Sequence, residues 1–282
     1  MRRWRRGLGQ QEQPAARAGQ PLARDLTATF EAMRAVADRY GETLAAVCDL
    51  TRFERRVLSQ NGEDGVIAEL LSRVGTSTRW FVEFGIGPGV EGNCVLLADV
   101  FGWSGLFIES DVDDFRSLEQ KYATNERVRT VRATVTPDNV DGLLSSNGAP
   151  RDIDILSIDI DGHDYWVWRA IRSFKPRLVV IEYNSSLDPD SQLVKPLDAS
   201  EPWDGTTYYG ASLGALCAVA KDQGYTFVHT DLCGVNAFFV RDDLVGAVGD
   251  IDHPVRSPNF GLAGIRIPPD PSARPWIDLD SP

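Results

Sequence analysis

The chain contains 282 residues, 43% of them hydrophobic and 25% charged, which is the composition of an ordinary globular protein with one large domain and extensions. Its formal net charge is -12, and so acidic a surface repels phosphate backbones and anionic lipids, which argues against nucleic acid and membranes as partners. No stretch approaches the roughly 18 apolar residues of a membrane span, and the four cysteines form no CxxC pair, so the sequence predicts a cytoplasmic protein that acts on a small molecule or a peptide.

The first 57 residues predict two extensions before the main domain. Residues 1–24 open with arginines but continue as a polar stretch rich in alanine and glutamine, which predicts a disordered basic arm rather than a signal peptide. Between Asp25 and Val47 the apolar residues recur at spacings of four and three, which predicts an amphipathic helix within a helical extension over 25–57. The apolar face of this helix either packs on its own domain or forms the seam of a homodimer.

The central segment, 58–248, predicts a single α/β domain. Its start, 59–65, is typical of a capped helix N-terminus. Short apolar strands then alternate with helical segments, and the chain closes with two strands separated by a turn. The five successive strands are predicted at Trp80–Glu83, Gly105–Glu109, Val128–Val131, Ile153–Ile158 and Leu178–Ile181, and the closing pair at Tyr225–His229 and Asn236–Val240.

This alternation predicts a Rossmann-like α/β fold. We expect a seven-stranded, mostly parallel sheet with helices on both faces and a C-terminal antiparallel hairpin. The remaining residues, 249–282, are rich in proline and predict an irregular tail.

The first predicted strand ends in a glycine-rich turn, Glu83-Phe84-Gly85-Ile86-Gly87-Pro88-Gly89. Glycines there let the backbone bend sharply and approach a ligand closely. The nicotinamide fingerprint GxGxxG needs one more residue between its second and third glycines than this turn has. An acid two residues before the first glycine completes a pattern that resembles motif I of class I S-adenosylmethionine (SAM) dependent methyltransferases. Glu83, Gly85, Gly87 and Gly89 are therefore predicted to bind SAM, the alternative being an ordinary strand-to-helix turn.

The second predicted strand ends in Glu109, one βα unit after the glycine turn. An acid at this position can accept hydrogen bonds from both hydroxyls of a ribose. Together with the turn, Glu109 indicates a ribose-bearing cofactor. Thr134, just past the third strand, is placed to flank the adenine ring. Asn93 and Ser110, which lie near these two features in the chain, complete this part of the set predicted to contact SAM.

Acidic side chains follow the fourth and fifth strands, which are neighbours in the expected strand order and open onto one crevice. Asp159 and Asp161 follow the fourth strand, and Glu182 and Asn184 follow the fifth. Buried acids need compensation, and three sources are open: the positive charges of SAM, a divalent cation such as Mg²⁺, or a proton. Asp161, Glu182 and Asn184 are oxygen ligands of the kind that Mg²⁺ accepts. Alternatively, Asp161 or His163 acts as general base on the accepting hydroxyl.

Two of these residues have simpler alternatives. Asp159 is assigned to the cofactor, because capping the next helix would need only one of the two neighbouring aspartates. His163 acts as a base or a substrate ligand, or else it only makes hydrogen bonds at the start of that helix. Four aromatic residues nearby either form a wall for an apolar or sugar-like acceptor or belong to the core. They are Tyr165, Trp166, Trp168 and Tyr183.

Six strings of residues form a set: 59–65 (SQNGEDG), 81–85 (FVEFG), 157–166 (SIDIDGHDYW), 180–184 (VIEYN), 209–213 (YGASL) and 234–241 (GVNAFFVR). Together they resemble a group of bacterial proteins related to the FkbM-type methyltransferases of natural-product and glycan pathways. The resemblance covers roughly residues 55 to 245. It implies a class I fold and O-methylation of a sugar or secondary-metabolite hydroxyl. It also implies that Gln60 and Glu63 fold over the cofactor, the alternative being helix capping.

Two other functions stay open at this point. A nicotinamide oxidoreductase would need the GxGxxG fingerprint, which the glycine turn lacks. A catalytically degenerate methyltransferase-fold protein would act as a partner or scaffold subunit, with the helix predicted within 25–47 as its dimer seam.

Overall fold

The computed structural model describes residues 50–198, 203–249, 255–256 and 267–281. The basic arm predicted over 1–24 and the helix predicted within 25–47 lie outside these residues, and so does the dimer seam assigned to that helix. The described chain begins with a 3₁₀ turn, Leu50–Phe53.

The main sheet has the strand order β3-β2-β1-β4-β5-β8-β7. Strands β1 to β5 run parallel to one another, whereas β8 runs antiparallel to both β5 and β7. The predicted seven-stranded sheet with its closing antiparallel hairpin is thereby confirmed. Its strands are β1 (Trp80–Phe84), β2 (Ser104–Glu109), β3 (Val128–Arg132), β4 (Ile155–Ile158), β5 (Leu178–Glu182), β7 (Tyr225–Thr230) and β8 (Asn236–Arg241).

Helices cover both faces of this sheet because its central strands are apolar on both sides. Phe81 and Val82 are adjacent in β1 and pack into two different hydrophobic clusters, as the alternation of side chains along a strand requires. Every residue of β4 and β5 is buried, which is typical of parallel strands with two covered faces. The helices are α1 (Glu63–Val74), α2 (Val95–Asp99), α3 (Val112–Tyr122), α4 (Val140–Ser146), α5 (Asp164–Ala170), α6 (Leu213–Gln223) and α7 (Asp242–Val245).

The C-terminal tail returns to the domain. Its short strand β9 (Ile277–Asp278) pairs antiparallel with β6 (Leu193–Val194), which precedes α6. The backbone N–H of Thr207 also donates to the carbonyl of Pro268. The proline content of 249–282 predicts irregular structure. Ile277 and Asp278 are not prolines, however, so their backbone N–H groups are available for the hydrogen bonds of a β-ladder. Among the described residues, no helix is both long and apolar enough to span a bilayer.

Candidate functional site

The carboxyl ends of β1, β2, β4 and β5 meet at one edge of the sheet. The chain runs outward from β1 to β2 and β3 on one side, and from β4 to β5 on the other. A crevice opens where the strand order reverses in this way, and ligands bind there in open α/β sheets. The predicted site residues lie along this edge.

The glycine turn after β1 depends on backbone conformations that favour glycine. Gly85, Gly87 and Gly89 have φ angles of 75°, 65° and 75°, which lie in the left-handed region where a side chain is strained. A Cβ atom on Gly85 would lie 1.6 Å from the carbonyl oxygen of Asp159. The turn therefore packs directly against the chain that leaves β4.

Glu83, at the base of this turn, holds the loop that follows it. Its two carboxylate oxygens accept the backbone N–H groups of Asn93 and Cys94 at 2.8 and 2.9 Å. The Asn93 side chain in turn donates to the Ser157 hydroxyl on β4 at 3.0 Å. Glu83 and Asn93 thus fix the loop across the end of the sheet, a role that the sequence did not reveal.

Glu109 is fully buried at the end of β2. One of its oxygens accepts the N–H of Gly87 and the other the N–H of Asp111, both at 2.7 Å. A ribose presents two hydroxyl donors, and a carboxylate is a suitable acceptor for such a pair. Ser110 follows half-buried, and Thr134 is exposed beyond β3 with its carbonyl oxygen accepting from the Asn139 amide at 2.9 Å.

The segment before α1 lies beside the same loop, since the N–H of Gly92 donates to the carbonyl of Leu58. Glu63 is fully buried, and its carboxylate accepts the N–H groups of Asn61 and Gly62 and the side-chain amide of Asn236. These contacts hold the turn that leads into α1, and both alternatives for Glu63 stay predictions. Gln60 is half-buried within this segment.

Three acids come together where β4 and β5 end. Asp159, Asp161 and Glu182 each offer a carboxylate oxygen, and these oxygens all lie within 4.8 Å of one another. Asp161 has a φ of 59°, a strained conformation for a residue with a side chain, and such strain concentrates at functional sites. Oε2 of Glu182 is buried and has no hydrogen-bond partner among the described residues. Burial, followed by the charge of Asp159, raises the pKa of Glu182 well above its usual value.

Asp164 is a fourth acid beside this cluster and is buried like Glu182, whereas Asp159 and Asp161 are half-buried. Its oxygens accept the N–H groups of Ile160 and Gly162 at 2.9 and 3.0 Å. Burial, followed by the charge of Asp159, raises the pKa of Asp164 to about 7. Asp164 therefore shapes the turn that carries Asp161, while its neighbour His163 occupies the N-cap of α5 and is half-buried.

Asn184, which is predicted to bind a metal ion with Asp161 and Glu182, makes several side-chain hydrogen bonds of its own. Its amide nitrogen donates to the carbonyl oxygens of Thr207 and Tyr209, both at 2.8 Å, and its amide oxygen accepts the N–H of Ser186 at 3.0 Å. The side chain is thus held by the segment that crosses the end of β5. Asp159 joins Asp161 and Glu182 in the acid cluster, because the turn after β4 brings both aspartates to the same point.

Lys195 is a site residue that the sequence did not indicate. It is only 3% exposed, and its Nζ lies 3.2 Å from the position that a Cβ of Gly162 would take. Burial lowers the pKa of Lys195. The residue follows the two-residue strand β6, which has no detectable pattern in the sequence.

The predicted aromatic wall belongs mostly to the core. Tyr165, Trp168 and Tyr183 are at most 5% exposed and belong to the hydrophobic cluster under the sheet. Trp166 is half-buried and donates to the Lys195 carbonyl at 2.8 Å. A different set of aromatic side chains gathers in the segment beyond β5 and in the tail, in the pairs Trp203–Tyr209 and Tyr208–Trp276.

Comparison with known proteins gives one family. A family model described as "Methyltransferase FkbM domain" matches residues 72–227. No curated protein matches the sequence significantly.

Solved structures resemble the chain at low sequence identity. An O-methyltransferase family protein from Burkholderia thailandensis is 12% identical with a TM-score of 0.41, and the match covers 64% of this chain and 57% of that one. Fibrillarin from Aeropyrum pernix, solved with natively bound SAM, is 14% identical with a TM-score of 0.39, covering 68% and 85%. The N-terminal domain of EvdMO1, solved with SAH bound, is 14% identical with a TM-score of 0.42, covering 65% and 80%.

Proposed function

Because the chain belongs to the FkbM-domain methyltransferases and is a SAM-dependent methyltransferase, we propose that it methylates a hydroxyl oxygen of a small polar molecule. The observation that carries this proposal is the cluster of Asp159, Asp161 and Glu182, which lies against the glycine turn through the contact of Gly85 with Asp159. Carboxylates at this point suit an acceptor that must lose a proton as it gains a methyl group.

The residues at this edge fit SAM, which supplies a methyl group activated on a sulfonium. Glu109, buried at the end of β2, would accept hydrogen bonds from the ribose hydroxyls. The turn of Gly85, Gly87 and Gly89, braced by Glu83, would lie against the amino-acid end. We assign further contacts to Gln60, Asn93, Ser110, Thr134 and Asp159. The burial of several acids here is consistent with a ligand that carries positive charge.

The protein itself would orient the acceptor and remove its proton. Asp161 is the base that we favour, because the left-handed turn projects it from the end of β4 beside two other acids. His163, at the start of α5, is the alternative proton acceptor. Water exclusion would come from the segment around Tyr209, which Asn184 holds over the end of β5.

A divalent cation such as Mg²⁺ also fits the acid cluster. Asp159, Asp161 and Glu182 are hard oxygen donors close enough to share one ion, and we propose them as ligands together with the predicted Asn184. The ion would polarise the acceptor hydroxyl. Manganese titration followed by electron paramagnetic resonance tests this assignment. The parent protein is expected to bind Mn²⁺, and Asp161→Asn to bind it at least tenfold more weakly.

A matched control for the manganese titration is Asp113→Asn. Asp113 is exposed on α3 and pairs with Arg116 at 3.0 Å, so its loss should leave Mn²⁺ binding unchanged. Parent protein that leaves millimolar Mn²⁺ entirely free would contradict the cation site.

The acceptor class and the cellular setting are also proposals. Hydroxyl acceptors with apolar or sugar-like faces suit the Trp203–Tyr209 and Tyr208–Trp276 pairs. A role in natural product biosynthesis in the cytoplasm follows from the resemblance and the free-thiol composition. The strong negative charge supports a small molecule over nucleic acid or membrane as partner. A homodimer through the helix predicted within 25–47 completes this proposal.

Two measurements test the proposed reaction. Calorimetric titration should show SAM binding to the folded protein. Incubation with tritium-labelled methyl SAM and a small-molecule extract from a strain that lacks the gene should label one metabolite. Folded protein that binds no SAM at millimolar SAM concentration would contradict the proposed reaction. Labelling that appears on nitrogen or carbon, as located by mass spectrometry, would replace O-methylation by another acceptor chemistry.

A further inference from the structure

The segment that carries Tyr209 is held in place by hydrogen bonds from Asn184 and Lys195. The Asn184 amide donates to its carbonyl oxygen at 2.8 Å. The N–H of Lys195 donates to the carbonyl of Gly210, and the N–H of Asn184 to that of Ala211. The nitrogen of Gly210 also lies 3.8 Å from the Cβ position of Gly162. Tyr209 therefore sits in a segment fixed across the ends of both β4 and β5.

The hydroxyl of Tyr209 is buried without a partner. The residue is 3% exposed, and its oxygen has no hydrogen bond to any described residue. Native structures rarely leave a buried hydroxyl unpaired, because losing its bond to water costs free energy. Tyr225 shows the usual arrangement, since its buried hydroxyl donates to the carbonyl of Pro176 at 2.8 Å.

The surroundings of this hydroxyl are the acids of the site. Burial, followed by the negative charge of Glu182, raises the pKa of Tyr209 well above its usual value. The hydroxyl therefore keeps its proton and remains a hydrogen-bond donor. Oε2 of Glu182 is also buried and lacks a partner among the described residues. The site thus holds an unpaired donor on Tyr209 and an unpaired acceptor on Glu182, whose charge acts on the Tyr209 hydroxyl.

We propose that the Tyr209 hydroxyl donates a hydrogen bond to an oxygen of the acceptor, adjacent to the oxygen that receives the methyl group. One hydroxyl group of the acceptor satisfies both unpaired atoms. Its oxygen accepts a hydrogen bond from Tyr209, and its O–H donates a hydrogen bond to Oε2 of Glu182. The acceptor class is then a molecule with neighbouring hydroxyls, one methylated beside Asp161 and one bound by Tyr209. This inference rests on the proposed function and deepens it.

Tyr209→Phe removes the hydroxyl and leaves the ring, so it separates recognition from packing. Without the hydroxyl, kcat/KM for methyl transfer to the labelled metabolite should fall at least tenfold. The Kd for SAM should stay within twofold of the parent value. The Tm should stay equal or rise, because the variant no longer buries an unpaired polar group. Tyr225→Phe is the matched control: it breaks a satisfied hydrogen bond far from the crevice, so its Tm should fall while methyl transfer is retained.

Each other result decides against the assignment. A kcat/KM within twofold of the parent overturns the proposed contact. A tenfold weaker Kd for SAM means that the hydroxyl faces the cofactor instead. A Tm that falls as in Tyr225→Phe means that the hydroxyl is structural. Parent protein that binds no SAM and labels no metabolite overturns the proposed function, and with it this inference; an active parent with an equally active Tyr209→Phe overturns this inference alone.

Discussion

The buried carboxylate of Glu109, at the end of β2, accepts the backbone N–H of Gly87 at 2.7 Å, across 22 positions of the chain. The acid that is placed to bind a ribose therefore also fixes the turn that is placed to bind the rest of the cofactor. One side chain couples the two halves of the proposed SAM site. Removing the Glu109 side chain should therefore weaken both halves of the proposed SAM site together.

Glu109→Ala should raise the Kd for SAM at least tenfold, which corresponds to about 1.4 kcal/mol. Both the proposed ribose contact and the support of the Gly87 turn are lost. Glu109→Gln keeps one acceptor oxygen and should fall between the alanine variant and the parent. Calorimetric titration measures all three proteins. Glu119→Ala, on the exposed face of α3, is the control, and a Glu109→Ala affinity equal to it would remove Glu109 from the site.

The glycine turn provides a second prediction, on stability. Gly85→Ala would set a Cβ 1.6 Å from the Asp159 carbonyl oxygen, in a backbone conformation with a φ of 75°. Neither backbone can yield without separating β1 from β4, so the unfolding free energy should fall by about 3 kcal/mol or more. Gly142→Ala in α4 meets no atom within 4 Å and should gain about 0.5–1 kcal/mol from helix propensity. Urea unfolding of the two variants measures this contrast, and an equal stability for both would contradict the close packing.

The sequence predicted most of the fold because its signals are local. The parallel strands other than β3 are short, mostly apolar runs, and the turn after β1 has glycines at positions where the structure needs left-handed φ angles. The end of the chain was harder. Ile277 and Asp278 pair with β6, a contact between residues far apart in sequence that no local pattern encodes.

The site was predicted less completely, for a physical reason. Acids after β4 and β5 could be placed at one crevice from strand order alone. That Asp159 joins Asp161 and Glu182 in the cluster depends on the course of the turn after β4, where Asp161 has a φ of 59°, and the sequence does not reveal that conformation. Lys195 and Tyr209 come from the region between β5 and α6. The string 209–213 was the only signal for Tyr209, and it gave no role.

Glu182→Gln should make the stability of the protein less sensitive to pH. Burial and the charge of Asp159 raise the pKa of Glu182 well above its usual value. Ionising it therefore costs stability as pH rises from the unfolded pKa of about 4.3 through the folded one. The neutral variant avoids that cost, so its unfolding free energy should exceed the parent's at pH 8 by more than at pH 4. Urea unfolding at both pH values measures the difference.

The control for this pH experiment is Glu126→Gln, an exposed position before β3. The unfolding free energy of this control should equal that of the parent at both pH values. Methyl transfer by Glu182→Gln should fall at least tenfold, since the acid cluster loses a charge. A Glu182→Gln protein that is less stable than the parent at pH 8 would mean that its carboxylate has a stabilising partner, contrary to its burial beside Asp159.

The tail should support the acceptor side of the crevice without affecting SAM. Arg274 pairs with Asp204 at 2.7 Å and with Asp270 at 3.1 Å, and its guanidinium lies 4.2 Å from the centre of the Tyr208 ring. Exposed ion pairs contribute about 0.2–1 kcal/mol each, so Arg274→Ala should change the Tm little. It should instead speed amide hydrogen exchange at Thr207, whose N–H donates to the Pro268 carbonyl.

A looser tail frees the segment that carries Tyr208 and Tyr209, so Arg274→Ala should lower kcat/KM severalfold at an unchanged Kd for SAM. Arg116→Ala, which removes an exposed ion pair with Asp113 on α3, is the matched control and should leave exchange at Thr207 unaltered. Because SAM contacts are assigned to the β1–β2 side and the tail packs beyond β5, the two binding steps should separate. An Arg274→Ala protein that loses SAM affinity as well would show that the tail braces the whole crevice rather than its acceptor side.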